Sequence, residues 1–168
     1  MTEKFTPIET EVGFLEGRDA IYYPKLTSVS DYEYCITGQL NGYNCSKVAD
    51  KDKEADIPFS LTFKGVLWLT LQELDFYVDN ESCFDLIENS SKLAQLRAHD
   101  KRTGIGKIDR GYDKNGKFSD EIYHQHFVLA TYDIVYEVIA QSYDLVLEKP
   151  KSRTYITIDE ALKLGKQS

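Results

Sequence analysis

Long hydrophobic runs are missing from this 168-residue chain. A membrane-spanning helix needs about 18–20 consecutive apolar residues, and no such stretch occurs, so no spanning helix is expected. Met1 to Thr10 carry Glu3, Lys4 and Glu9 and hold no apolar stretch of the kind a secretory leader uses. The expected setting is therefore cytoplasmic. Cysteine is sparse and odd in number, with Cys35, Cys45 and Cys83 and no CxxC pair. That argues against a disulfide framework and fits reduced, buried thiols. Repeats, low-complexity tracts and long polar linkers are absent, so residues 1–168 read as a single domain, long enough to bury a core without metal or disulfide.

Two biases stand against these absences. Tyrosine occurs 12 times, and its large rigid ring with a polar tip serves both cores and binding surfaces. The net charge is −8. Residues 1–100 hold 18 acids and 9 bases, whereas residues 101–168 hold 10 acids and 11 bases. Such a field repels nucleic acid and attracts basic partners.

Hydrophobic periodicity supplies the expected elements. Between Asp31 and Val48, Tyr32, Tyr34, Ile36 and Leu40 alternate with polar residues, and Asn41-Gly42 follows. Asn-Gly between alternating runs predicts a two-residue hairpin turn in which Leu40 faces Tyr43. Phe59, Leu61, Phe63, Leu67, Leu69 and Leu71 share one parity and predict a long strand, with a bulge or bend at Gly65. Ser82 as N-cap, Asp85 three residues on, and the stripe Cys83, Leu86, Ile87, Leu93 and Ala94 predict a helix from Ser82 to Arg97. A glycine-rich basic segment spans His99 to Asp120, with Asn115-Gly116 a second turn candidate between strands starting near Ile108 and Phe118. Ile122 to Ala130 reads as a strand. Asp133 to Gln141 reads as a short helix before a strand from Tyr143 to Glu148, or the whole as one longer helix. Arg153 to Ile158 suits an edge strand, and Thr157 to Glu160 a capping box for a last helix stopped at Gly165. The sum predicts an α+β fold: a mostly antiparallel sheet built from hairpins, with two or three helices packed on one side.

Few motifs carry chemistry. His124 and His126, two apart on a strand, would point to one face and could reach one metal or transfer a proton. The same spacing suits two ordinary strand histidines. Gly104-Ile105-Gly106-Lys107 fails as a phosphate loop, because Lys101 stands where glycine is required and Ile108 where Ser or Thr is. Asp113 to Gly116 fails as a calcium loop for want of acidic residues at 111 and 122. Cys83 at a helix N-terminus would have a lowered pKa, although its place in the apolar stripe favours burial. No cofactor and no metal is expected.

The acids carry the functional expectation. Glu73, Asp75, Asp79, Glu81, Asp85 and Glu88 follow one another with no Lys or Arg between them. Tyr22, Tyr23, Tyr32, Tyr34, Tyr43, Phe76 and Tyr77 lie in the same part of the chain. An uncompensated acidic surface bearing aromatic anchors is what docking to a basic partner uses. Small, acidic and tyrosine-rich, the chain resembles in general character the immunity proteins that neutralise bacterial toxins, and the resemblance implies a non-enzymatic inhibitor that binds a protein. The alternative is a small metal-dependent or His-dependent hydrolase using the His124/His126 face. A domain whose pocket holds a small molecule, or a homodimer using the tyrosine surface on itself, is a further reading.

Overall fold

The computed structural model describes residues 1–74 and 82–153. Its strands are β1 (Lys4–Pro7), β2 (Ile21–Ser30), β3 (Glu33–Asn41), β4 (Ala55–Lys64), β5 (Trp68–Glu73), β6 (Phe84–Glu88), β7 (Gly111–Tyr112), β8 (Phe118–Ser119), β9 (Gln125–Ala130), β10 (Ile134–Ala140), β11 (Ser142–Leu147) and β12 (Lys151–Ser152). Among the described residues all strand pairing is antiparallel. One sheet runs β1-β6-β9-β10-β5, the other β11-β4-β3-β2 with β12 beside β4, and β7-β8 form a separate hairpin. One α-helix, α1 (Ser91–Thr103), stands beside them among the described residues. The fold is thus mainly β, and the expected α+β build with two or three packed helices is corrected. No described helix is long and apolar enough to cross a membrane.

The core lies between the two sheets. In β4, Ala55, Ile57, Phe59, Leu61 and Phe63 are buried, while Asp56, Pro58, Ser60 and Thr62 alternate outward. Phe63 meets Phe127 of β9 at 5.5 Å between ring centroids, and Tyr143 of β11 meets Phe84 of β6 at 5.1 Å. The predicted single strand from Phe59 to Leu71 is two strands, one in each sheet. Gly65, at φ +64°, turns the chain between them. Gln141 makes the matching crossing from β10 to β11: Leu67 N–H donates to the Ile139 carbonyl and Gln141 N–H to the Lys64 carbonyl. A two-stranded ribbon therefore bends from one sheet into the other. A Cβ on Gly65 would lie 2.5 Å from Gln141 Oε1, so glycine is required there by both space and backbone angle.

Two predicted helices are strands for one reason. Ser82 to Arg97 divides into β6, then α1, whose true N-cap is Ser90. In β6, Phe84 is buried toward one face, and Asp85 and Ile87 toward the other. In β10, Val135 and Ile139 are buried on one face, and Tyr136 and Val138 on the other. A strand covered on both faces loses its period of two, and apolar residues at 134, 135, 138 and 139 then imitate a helical stripe.

The Asn41-Gly42 hairpin does not form. Leu40 pairs with Ile57 and Gly38 with Phe59, because β3 pairs with β4 across a loop of residues 42–54. Asn41 Oδ1 accepts the Tyr43 N–H at 3.2 Å and starts a 3₁₀ turn. Gly42 is needed there for close approach, since a Cβ would overlap the Asp52 carbonyl. β3 instead forms its hairpin with β2. At the second Asn-Gly, Tyr112 does pair with Phe118, with Asp113 Oδ1 accepting the Asn115 and Lys117 N–H groups. The strand expected from Ile122 begins at Gln125. Residues 154–158 of the expected edge strand and the last helix lie outside the described residues.

All three cysteines are free. Cys83 precedes β6 rather than opening a helix; its thiol donates to the Gly17 carbonyl at 3.0 Å, and burial pushes its pKa up to about 12. Cys45 is likewise buried and pushed up to about 11. Cys35 is half-buried on the outer face of β3. Iodoacetamide at pH 8 is expected to label Cys35 alone in the native protein and all three after unfolding; native labelling of Cys83 at the rate of Cys35 would contradict the burial.

Candidate functional site

The sandwich has two chemically different ends. At one end, β2 begins, β3 ends, β5 ends and β10 begins. Tyr132 N–H donates to the Ile21 carbonyl, which ties the two sheets together there, and Leu74 N–H donates to the Asp133 carbonyl, which extends the β5–β10 pairing. Tyr22 lies 5.5 Å from Tyr132 and 6.1 Å from Tyr23 between ring centroids, the rings tilted by 34° and 40°. Arg18 lies over the Tyr132 ring at 5.1 Å. Tyr23 sits in a bulge of β2 at φ +53°, and is 79% exposed. Left-handed backbone is costly for a bulky residue, by about 1–3 kcal/mol, and a bulge re-aims a side chain. Of the exposed acids at this end, Asp19 acts on Tyr22 and is opposed by Arg153, Asp133 follows Tyr132 in the chain, and Glu73 stands opposite Ile134 where β10 begins. Glu54 accepts the Tyr43 hydroxyl at 3.0 Å. The Tyr22 hydroxyl is held above its ordinary range, by burial first and by Asp19 next.

The opposite end is the bend at Gly65 and Gln141. It opens a cleft of about 720 Å³ beneath the basic segment, with Lys64, Lys107, Arg110 and Lys114 in its walls beside Tyr32, Tyr112 and Phe118. The split is not simply that of the sequence: Glu33 and Lys64 of the first part line the cleft, whereas Asp133 and Arg153 of the last part lie near the tyrosine cluster.

Of the residues expected to form one acidic docking surface, the fold brings few together. Glu73 and Tyr43 lie at the acidic end. Asp85 has no exposed surface and cannot contact a partner. Glu88 is on β6, where it faces Lys4 at 3.9 Å and accepts the Thr6 hydroxyl at 2.6 Å. Tyr34 packs against the core, and Tyr32 is at the basic cleft. Asp75, Tyr77, Asp79 and Glu81 lie outside the described residues, between Leu74 and Ser82. Sequence reasoning counted Tyr22 and Tyr23 among the aromatics of the acidic part of the chain and missed Tyr132. The consecutive tyrosines before Pro24 carried a further signal, since a pair at 22–23 cannot place both rings on one face of a regular strand.

His124 and His126 are both buried, but their rings serve different partners. His124 Nδ1 accepts the Asp109 N–H at 2.9 Å, and Asp109 Oδ1 accepts the His124 N–H at 2.9 Å. Its other ring nitrogen bonds the Gly65 carbonyl, and burial holds its pKa below the ordinary imidazole range against the pull of Asp109. Arg97 grips the same Asp109 at 2.7 and 3.2 Å. Thus His124 is a neutral strut joining β9, the bend and the basic segment. His126 Nδ1 meets Ser90 Oγ at 2.7 Å, and Nε2 faces Glu137 at 3.4 Å without hydrogen-bond geometry. Serine, imidazole and carboxylate in a row resemble a hydrolytic relay. Ser90, however, is buried and its oxygen already accepts the Leu93 N–H as the cap of α1. Among the described residues, no group of three or more His, Cys, Asp or Glu side chains could hold a metal ion. The convergence of the two histidines on one metal, which the alternative reading requires, is not formed there.

Comparison with protein-family models, with curated proteins and with solved structures finds no match.

Proposed function

We propose that the chain is a non-enzymatic binding protein that docks on a basic protein partner through its acidic, tyrosine-bearing end and masks that partner's cationic surface. The observation that carries this reading is Tyr23. An exposed aromatic ring held on a left-handed backbone, in tilted contact with Tyr22 and through it with Tyr132, is a feature that core packing does not require. Rigid aromatic anchors supply affinity at interfaces, and the surrounding carboxylates supply steering and selectivity. Inhibition follows where the masked surface is the partner's working groove. A cytoplasmic setting accords with the three free thiols.

Affinity capture from a lysate at low salt, followed by titration of the recovered partner, tests the proposal. A basic protein is expected. Tyr23→Ala with Tyr132→Ala should weaken it by about 100-fold, on the scale of interface anchors. Reversal of Glu54, Glu73 and Asp133 to lysine should slow association and remove its salt dependence. Recovery of no basic partner, or indifference to both variants while the fold persists, overturns the reading.

A further inference from the structure

The basic cleft is not used by the docking surface and has its own chemistry. We propose that it binds a small planar molecule bearing an anionic group, of the nucleoside monophosphate kind.

Its volume, about 720 Å³, lies within the range of small-molecule sites, roughly 300–1,000 Å³. Its charge runs against that of the chain. Glu33, Asp113 and Asp144 are the acids in its walls, and the last two are engaged locally. Asp144 pairs with Lys64 at 2.5 Å. Glu33 stands opposite Lys64 across the β3–β4 ladder. Asp113 accepts two backbone N–H groups of its own turn. Arg110 is held by Asp120 at 3.1 Å, outside the cleft lining. Lys107 and Lys114 remain: among the described residues neither has a carboxylate within ion-pair distance. Lys107 lies 5.9 Å from the Tyr32 ring centre.

The aromatic half of the site is equally specific. Tyr112 and Phe118 are cross-strand partners on the β7–β8 hairpin, edge to face at 5.5 Å, and both stay exposed. Exposed rings beside unneutralised ammonium groups are the pairing used to stack a base and hold its phosphate. The floor is fixed: Gln141 Nε2 donates to the Arg110 carbonyl at 2.7 Å, and His124 ties the segment to Gly65. The cleft is therefore built in advance of any ligand.

Nuclear magnetic resonance titration of the intact protein with adenosine 5′-monophosphate, adenosine and inorganic phosphate tests this. The monophosphate should shift the amides of Gly65, Gly106 to Phe118 and Gln141, and bind at least about tenfold tighter than either fragment alone, because the two contacts add within one site. Lys107→Ala with Lys114→Ala, and separately Phe118→Ala, should each weaken it by about tenfold. Tyr23→Ala should not, which separates this site from the docking surface. Absence of shifts at millimolar ligand, shifts centred elsewhere, phosphate binding as tight as the monophosphate, or binding unchanged in both variants would overturn the assignment. The replaced side chains are exposed, so folded variants are expected, with circular dichroism as the check.

Discussion

Asp85→Asn is expected to remove a pH dependence of stability and to leave a protein more stable than the parent at neutral pH. Asp85 stands opposite Val128 in the β6–β9 ladder, with no exposed surface. Burial pushes its carboxyl up to about 6 from an ordinary 3.8, while the Ser82 hydroxyl bond pulls it slightly down. A carboxyl whose folded pKa is raised stabilises the fold while protonated. That contribution is full below the unfolded value near 3.8 and is lost as pH rises through about 6. A shift of roughly two units corresponds to about 3 kcal/mol at most. Urea unfolding at pH 4, 5.5 and 7.5 on parent and variant measures it. The parent should lose about 2–3 kcal/mol relative to the variant between the first and last pH, other carboxyls cancelling in the difference. A difference constant with pH would refute the assignment. Because Asp85 meets no solvent, the same substitution should leave partner capture unchanged, in contrast to reversal of Glu54, Glu73 and Asp133.

Phe127→Ala should cost about 3–5 kcal/mol, enough to threaten folding of a protein of ordinary stability. The Phe127 ring lies 5.5 Å from Phe63, 5.4 Å from Tyr143 and 6.5 Å from Phe84. It thereby touches both sheets at once, and its loss leaves a cavity that neither sheet can close alone. Phe127→Leu should cost much less, about 1–1.5 kcal/mol, since it retains most of the volume. Tyr123→Ala is the contrast: four residues earlier and of the same parity, it is 62% exposed because β9 begins only at Gln125, and its loss should fall within about 0.5 kcal/mol. Thermal and denaturant unfolding of the three variants checks the order. Equal effects at 123 and 127 would contradict the placement of the core.

The contrast between these positions marks how far the sequence could be read. In β4 the alternation of Phe59, Leu61 and Phe63 with Ser60 and Thr62 was legible because one face is solvated. Gly65 was legible as a bend because glycine interrupts that alternation. β6 and β10 were not, because burial on both faces removes the alternation on which the reading depends. Asn41-Gly42 misled for a different reason. The Asn41 side chain bonds the chain two residues on, and the Gly42 hydrogen admits the Asp52 carbonyl, so both residues serve a contact that local sequence does not contain.

The candidate site divides in the same way. The bias of acids to the first part of the chain and bases to the last was plain in composition, but it does not place the charges: Lys64 of the first part lines the cleft, and Asp133 and Arg153 of the last part lie near the tyrosine cluster. Which carboxylates meet solvent was not plain. Glu73 and Asp85 belong to one unbroken acidic run, yet one ends on the surface and the other in the interior, since they occupy different strands of a folded sheet. Composition, period and the absence of long apolar runs thus determined by themselves a charged, strand-rich chain with most of its core residues. Tertiary structure alone decided the pairing of strands, the burial of Asp85 and the gathering of Tyr22, Tyr23 and Tyr132. The physical reason is that local periodicity records only whether each face meets water, whereas pairing and convergence depend on contacts between residues up to about a hundred positions apart, which no local pattern encodes.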